Sequence, residues 1–303
     1  MLTSNIKFKN FNILKLRKFK NFKNESWFKK IKLFESLKPN YKYSYSKDQI
    51  KKISKSKNFR LIGMGGSTLG ANAIYQFLNH KIKKNFIFIN NLNSKLNNYE
   101  KKIKATNIII SKSGNTLETI VNSNTLINNN KNIFITENKK SYLRNLAYKL
   151  KAEIIEHKNY IGGRYSVLSE VGMLPAEIMG LNEKKFKRLN FLINNKVFLN
   201  ELMKNVSAIL RFVKEKKFNS IILNYDNKSE NLLKWYQQLV AESLGKKSKG
   251  ILPVISTMPK DNHSLLQLYL DGTKNNFFTF FSALDKKSDM INNKFLQKTH
   301  NYL

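Results

Sequence analysis

Residues 61–70, LIGMGGSTLG, join a short apolar run to the closely spaced Gly63, Gly65 and Gly66 and then to a segment of good helix formers. This order predicts a strand, a glycine turn and a helix. Unpaired N–H groups and the positive end of the helix dipole would meet at the turn, which favours an anion such as phosphate. Glycine also removes the Cβ that would hold a ligand away from the backbone, and Ser67 adds a hydroxyl donor.

The two common nucleotide-binding loops fit this stretch poorly. A Walker loop needs a lysine directly before its final Ser or Thr, and residues 67–70 contain none. A dinucleotide fingerprint needs an acidic residue further along, and residues 81–98 contain no Asp or Glu. A glycine turn that serves only close packing between strand and helix stays open as the plain alternative.

Composition sets the broad class of the protein. A chain of 303 residues that is 41% hydrophobic can bury a large core, and its length suggests two domains. The absence of cysteine excludes disulfides and thiolate metal sites and suits a reducing compartment. Because the sequence shows neither a long apolar run nor a signal peptide, we expect a cytoplasmic protein without a membrane anchor.

The net charge of +35 raises the question of nucleic-acid binding, since neutralising phosphates drives nonspecific affinity. Lysines are, however, spread through almost every segment together with asparagine and isoleucine, whereas a nucleic-acid footprint concentrates on one face. We therefore expect no specific nucleic-acid partner. A nucleic-acid binder remains the competing hypothesis that this charge supports.

The chain divides into three parts. Residues 1–48 are basic and aromatic, and the spacing of Trp27, Ile31, Phe34 and Leu37 indicates a docked N-terminal extension rather than a base-stacking surface. Residues 49–165 alternate strand and helix signals, which predicts a parallel sheet covered by helices on both faces. A second domain over residues 166–303 begins with a long helical region, residues 183–216, and continues with strands and helices.

A second polar loop follows another buried-looking strand. Residues 108–110 lead directly into SKSGNTLET, residues 111–119, which is rich in hydroxyl groups. Such a turn often serves only to cap a helix. Since ligands of parallel sheets lie at the carboxyl ends of the strands, two loops of this kind together indicate a bound phosphomonoester and require no metal.

Four further residues have chemistry that suits a reaction. Arg164 follows paired glycines and could meet developing negative charge, although a surface arginine is an equal alternative. Glu242 lies near the end of a predicted helix, one turn after Gln238, where the helix dipole disfavours a structural carboxylate and a solvated charge is the plain alternative. His263 lies at a loop-to-helix junction and can exchange protons near neutral pH.

Taken in order, these segments resemble the phosphoglucose isomerase family: GMGGSTLG (63–70), SKSGNTLET (111–119), GGRYSVLSEVGMLP (162–175), ESLGK (242–246) and HSLLQ (263–267). The resemblance covers residues 50–303. It implies an α/β protein with two sugar-isomerase (SIS) domains, each an α-β-α sandwich with a parallel sheet: residues 49–165 would bind phosphate and residues 166–303 would carry the catalytic Glu and His. It also implies a homodimer with a shared active site, no cofactor and no metal, and interconversion of glucose 6-phosphate and fructose 6-phosphate.

The resemblance also implies residue roles. Arg164 would stabilise the enediolate, Glu242 would move the proton between C1 and C2, and His263 would assist ring opening, across the dimer interface. Gln238 would line the sugar site. The phosphate would be held by the two loops, with Lys112 acting largely through its backbone: Gly66, Ser67, Ser111, Lys112, Ser113 and Thr116.

Two departures from the family pattern keep alternatives open. Ser113 replaces the usual threonine, and the chain ends before the family's C-terminal helix, whose lysine aids ring opening. Lys294 and Lys298 lie too close to the last predicted strand to take that role. The alternatives are a truncated or non-catalytic SIS-domain protein that binds sugar phosphates, and an isomerase that also accepts mannose 6-phosphate.

Overall fold

The computed structural model describes residues 31–92, 102–127 and 131–283. Residues 1–30 of the predicted N-terminal extension, which include Trp27, therefore lie outside the described residues. Lys294 and Lys298 also lie outside the described residues. None of the described helices is both long and apolar enough to cross a membrane.

The first sheet contains five parallel strands in the order β2-β1-β3-β4-β5. In this order the chain reverses its direction of travel between β1 and β3, and ligands of such sheets bind at this switch point. The strands are β1 (Asn58–Gly63), β2 (Asn85–Ile89), β3 (Thr106–Ile110), β4 (Asn132–Thr136) and β5 (Glu153–Glu156). The accompanying helices are α1 (Lys47–Ile53), α2 (Leu69–Leu78), α3 (Leu117–Leu126), α4 (Tyr142–Lys149) and α5 (Glu170–Ile178).

Buried apolar side chains cover both faces of this sheet. Because successive strand residues point to opposite faces, Leu61 joins one cluster with Ile108 and Ile110, while Ile62 joins another with Ile109. Helix α5 contributes Val171, Met173 and Leu174 to the first cluster; α3 and α4 contribute Leu126 and Leu143 to the second. Burial on both faces explains why the sequences of these strands are almost continuously apolar.

A second, smaller parallel sheet has the order β7-β6-β8. Its strands are β6 (Asn219–Asn224), β7 (Leu252–Thr257) and β8 (Asn276–Phe281), and the helices of this part are α6 (Glu183–Phe186), α7 (Lys196–Lys214), α8 (Glu230–Leu244) and α9 (Leu266–Asp271). Helix α8 packs against both β7 and α2, and so connects the two sheets. Several apolar side chains of this part are exposed in the single chain: Val197, Leu202, Val206, Leu210 and Phe280.

The expected α/β class with parallel sheets is confirmed, and the division into two domains stays a prediction. The helical region expected over residues 183–216 is largely helical, but it is not one continuous helix. It breaks into α6, a 3-10 turn (Asn190–Asn194) and α7, because Asn195 leaves helical geometry and caps α7 by accepting a hydrogen bond from the Phe198 N–H at 3.0 Å.

Candidate functional site

The glycine loop leaves β1 beside the end of β3. Gly63 lies opposite Ile110 in the parallel ladder, and a Cβ on Gly63 would lie 2.7 Å from the Ile110 carbonyl oxygen. The chain then forms a 3-10 turn (Gly65–Ser67) before α2 begins at Leu69. This geometry places the start of the first loop next to the start of the second, as expected for two neighbouring strands.

The glycines of this loop also serve close packing, as the plain alternative expects. Gly65 has a left-handed backbone, with φ of +52°, and a Cβ there would lie 2.8 Å from Nε2 of Gln238. A Cβ on Gly66 would lie only 2.3 Å from the carbonyl carbon of Gly163. The packing partners are thus Gln238 and the Gly163–Arg164 peptide, so the loop contacts other residues of the expected site.

The second loop is held by hydrogen bonds among its own groups. The hydroxyls of Ser111 and Thr116 lie 2.9 Å apart, and the Gly114 N–H donates to Ser111 Oγ at 3.1 Å. The Asn115 N–H donates to Ser113 Oγ at 3.2 Å. Since the serine oxygens accept these amide protons, their own hydroxyl protons can be directed at an anion.

Lys112 points its side chain away from the hydroxyls of its loop. Its Nζ lies 3.3 Å from Glu137 Oε1 and donates to the Asn159 carbonyl at 2.7 Å. The backbone of Lys112, rather than its side chain, is therefore available to a ligand of this loop. Nearby His157 is buried, and desolvation lowers its pKa, with the charge of Lys112 acting in the same direction.

Arg164 and Glu242 form an ion pair across 78 residues of sequence. Arg164 Nη1 donates to Glu242 Oε1 at 2.7 Å, and Arg164 Nε donates to the hydroxyl of Ser243 at 2.9 Å. The Trp235 indole N–H donates to the Arg164 carbonyl at 2.9 Å, which fixes the backbone of the arginine. The Arg164 side chain is 16% exposed and that of Glu242 is 52% exposed, so the carboxylate remains open to solvent on one side.

Tyr165 completes this cluster. Its hydroxyl lies 2.6 Å from Ser243 Oγ, and its ring lies 4.6 Å from the Arg164 guanidinium carbon. Burial acts to raise its pKa, but the hydrogen bond with Ser243 and the neighbouring Arg164 outweigh burial, so that the pKa of Tyr165 is lowered.

Gln238 presents an unused acceptor beside the glycine loop. It lies on α8, one turn before Glu242, and its Oε1 is buried without a hydrogen-bond partner among the residues described. Buried polar atoms rarely remain unpaired, so this oxygen, or the amide in its other orientation, is suited to pair with a ligand hydroxyl.

His263 stands apart from this cluster in the single chain. It ends the 3-10 turn Lys260–His263 after β7, it is exposed, and within the described ranges no hydrogen bond or ion pair joins it to Arg164 or Glu242. The structure thus brings together Arg164, Gln238, Glu242 and the glycine loop and places the Ser111–Thr116 loop on the adjoining strand. His263 lies outside this group and is exposed.

Sequence reasoning missed how Ser243, Tyr165 and Trp235 support the arginine. In the sequence, Ser243 is part of the ESLGK motif, and no pattern assigns a role at the site to Trp235. A hydroxyl directly after an expected catalytic carboxylate was the one available signal. Within the described ranges no group of three or more His, Asp or Glu side chains is arranged to hold a metal ion.

Comparisons with known proteins give one consistent result. A family model described as phosphoglucose isomerase matches residues 45–301. The glucose-6-phosphate isomerase of Methanocaldococcus jannaschii is 34% identical over 268 residues, which cover 82% of this chain and 65% of that relative. The enzyme of the same name from Campylobacter jejuni is 32% identical over 255 residues, covering 78% and 63%. The chain therefore spans slightly less than two thirds of the length of these relatives.

Solved structures show the same fold. A hypothetical protein of Thermus thermophilus has a TM-score of 0.65 at 21% identity and covers 86% of this chain and 67% of its own. A glucose-6-phosphate isomerase of Chlamydia trachomatis has a TM-score of 0.59 at 19% identity, covering 81% and 52%.

Proposed function

The chain belongs to the phosphoglucose isomerase family, and on this premise we propose that it interconverts D-glucose 6-phosphate and D-fructose 6-phosphate. The observation that carries the proposal is the ion pair of Arg164 and Glu242 beside Gln238 and the glycine loop. A positioned carboxylate, a cation and an anchored phosphate are the parts that proton transfer next to a carbonyl requires.

The phosphate is held at the switch point of the first sheet. Ser111, Ser113 and Thr116 donate from the second loop, while Gly66 and Ser67 contribute from the first. Backbone N–H groups, including that of Lys112, complete the site. Binding energy at the phosphate holds the sugar carbons against Glu242, although the phosphate itself does not react.

Glu242 carries out the proton transfer. Its carboxylate removes the C2 proton of the open-chain aldose, and the electrons form the double bond of a cis-enediolate whose negative oxygen is stabilised by Arg164. The protonated Glu242 then returns the proton to C1, and a proton moves between the two oxygens to give the ketose. The reaction is redox-neutral and uses no cofactor.

Ring opening and assembly belong to the same proposal. His263 assists ring opening in a homodimer, where it reaches the site of the partner. The exposure of His263 and the exposed apolar side chains of α7 support a working unit larger than one chain. We place this activity in the cytoplasm, which the cysteine-free composition suits.

A second candidate is a sugar-phosphate-binding protein that does not turn over its ligand. One observation favours it: among the described residues, no hydrogen bond or ion pair joins His263 to the Arg164–Glu242 cluster. An isomerase that also accepts mannose 6-phosphate is the third, and it depends on contacts to the C2 hydroxyl.

A coupled assay together with calorimetry separates these functions. Conversion of fructose 6-phosphate into glucose 6-phosphate by the full chain supports the isomerase, and mannose 6-phosphate tested in the same assay measures the breadth of specificity. Binding of fructose 6-phosphate without conversion would establish the binding protein. If the ligand neither binds nor reacts, both proposals are wrong.

A further inference from the structure

Away from this site, a basic cavity lies between Pro39 and residues 184–194, which include part of α6. Its volume is about 600 Å³, and its walls include Lys184, Lys187, Arg188 and Phe191. It shares Pro39, Lys184 and Lys187 with an adjoining cavity of about 200 Å³. A cavity of this size accommodates a small-molecule ligand.

Lys187 is a buried cation that forms no ion pair with the described residues, although the charges of Glu183 and Glu170 act on it from a longer distance. Only 7% of the residue is exposed, and its Nζ lies 4.9 and 4.7 Å from the ring centroids of Tyr41 and Tyr43. Its one hydrogen bond within the described residues is to the Lys38 carbonyl at 3.3 Å, and no carboxylate there lies within ion-pair distance. Burial lowers the pKa of this lysine, while the charges of Glu183 and Glu170 oppose the shift. Buried charges in proteins are normally paired at contact distance, so an anion bound next to this ammonium group would be stabilised.

A second polar group at the same place also lacks a partner. The hydroxyl of Tyr43 is buried and makes no hydrogen bond to the described residues, and Tyr43 lines the smaller cavity. Its neighbours Tyr41 and Tyr45 are satisfied, since they donate to Glu170 and to Glu177. The unpaired hydroxyl of Tyr43 can therefore donate to a ligand.

The acidic groups nearby are already engaged. Glu183 and Glu177 both form ion pairs with Lys47, and Glu170 accepts hydrogen bonds from Tyr41 and Ser44. By contrast, neither Lys184 nor Arg188 forms an ion pair within the described ranges, and both are exposed at the cavity. The charged side chains that line the larger cavity are therefore all positive, whereas Glu183 lines the smaller one.

We propose that this cavity is a second ligand site, in which Lys187, Lys184 and Arg188 bind a small soluble anion with two or more charges, of the diphosphate class. Tyr43 donates a hydrogen bond to the same ligand. Because the walls include none of the residues assigned to isomerisation, the site is separate from the candidate active site. Its occupation would tie residues 39–45 to α6.

Calorimetric titration of the full chain with sodium pyrophosphate tests the proposal, with saturating fructose 6-phosphate present so that the phosphate loops are occupied. We expect one bound anion per chain. Lys187→Met should weaken binding by about 10- to 100-fold, because a charge-assisted hydrogen bond is lost. Since Lys187 is buried and Lys187→Met could misfold, the exposed pair Lys184→Gln and Arg188→Gln is tested in parallel and should weaken binding to a similar extent.

Lys260→Gln is the matched control, since Lys260 is exposed and does not line the cavity. It should leave pyrophosphate binding unchanged. The proposal is overturned if pyrophosphate does not bind, if the Lys184/Arg188 variant binds as the parent does, or if Lys260→Gln weakens binding equally, which would indicate diffuse charge. Tighter, Lys187-dependent retention on phosphatidic acid vesicles would assign the site to a lipid headgroup and contradict a soluble ligand.

Discussion

At the scale of single residues, the ion pair explains how Glu242 is tolerated near the end of α8. A carboxylate at that end meets the negative pole of the helix dipole, which costs about 0.3 to 1 kcal/mol. Arg164 offsets this cost, because its Nη1 lies 2.7 Å from Glu242 Oε1. Ser243 and Trp235 hold the arginine in place through hydrogen bonds. When negative charge develops on a bound substrate, the guanidinium of Arg164 can bind that charge instead of Glu242. The carboxylate of Glu242 is then able to act as a base.

Ser243 is expected to act as a positioning residue for this arginine. Ser243→Ala removes the acceptor for Arg164 Nε and the partner of the Tyr165 hydroxyl. We predict that kcat falls about tenfold with KM nearly unchanged, because a hydrogen bond of about 1.4 kcal/mol is lost mainly in the transition state. Steady-state kinetics in the coupled assay measure this, with the exposed Ser282→Ala as control. A change in KM alone would show that Ser243 serves binding instead.

His157 makes stability depend on pH. Its folded-state pKa is lowered by burial, and Lys112 lowers it further while Glu137 opposes the shift. The unfolded chain takes up a proton near its ordinary pKa of about 6.5 and the folded chain does not, so stability is present above that pH and is lost as pH falls. We predict that the free energy of unfolding of His157→Gln falls less than that of the parent below pH 6.5. The difference is up to about 1.4 kcal/mol per pH unit.

Urea unfolding at pH 7.5 and pH 5.5 measures the effect. The parent and the control His80→Gln, in which an exposed histidine is replaced, should lose stability alike between the two pH values. If His157→Gln loses as much as they do, the pH dependence arises elsewhere.

At the scale of elements, Gly66 and Gly163 are close in the fold but differ in the space available for a side chain. A Cβ on Gly66 would lie 2.3 Å from the Gly163 carbonyl carbon, whereas a Cβ on Gly163 would have nothing within 4 Å. We predict that Gly66→Ala lowers the free energy of unfolding by about 1 to 3 kcal/mol, because backbone must move. Gly163→Ala should change it by less than about 0.5 kcal/mol. Urea denaturation of both variants tests this, and equal effects would mean that the loops are not packed as described.

The elements themselves follow closely from local sequence. The apolar runs before the two polar loops predicted strands, which are observed as Asn58–Gly63 and Thr106–Ile110. Such runs are reliable because both faces of the sheets are covered. The apolar spacing after Glu183 predicted a helical region but not its division, which the caps at Asn182 and Asn195 determine.

The site could be predicted only in part. Sequence order and the parallel sheet place the two loops on neighbouring strands, and the ladder between Gly63 and Ile110 is as that reasoning requires. The contacts of Arg164 with Glu242 and Ser243 span more than 70 residues and depend on how α8 packs on α2. No local pattern encodes that packing.

At the scale of the whole molecule, α8 is the element that unites the two sheets. It packs against α2 behind the glycine loop and against β7, and it carries Gln238 and Glu242 to the loop. The remaining expected residue, His263, follows β7 and is exposed. In a homodimer with a shared site, Gln238 and Glu242 of one chain would act together with His263 of the other.

Mixing two inactive variants tests the shared site. If His263 acts in trans, refolding Glu242→Gln together with His263→Ala should restore about a quarter of the parent activity, since half of the dimers are mixed and each mixed dimer has one intact site. If both residues act within one chain, every site in the mixture lacks one of them and activity stays at the level of the single variants. Light scattering of the mixture checks that dimers have formed.

The most direct measurement is the rate at which parent and Glu242→Gln convert fructose 6-phosphate, with binding of the sugar measured on the same samples. We predict that the parent turns over and that the variant binds the sugar but is slower by about 10²- to 10⁴-fold, because the base is lost while the phosphate loops are intact. A Glu242→Gln variant that isomerises at the parent rate would contradict the assignment of the proton transfer to this carboxylate.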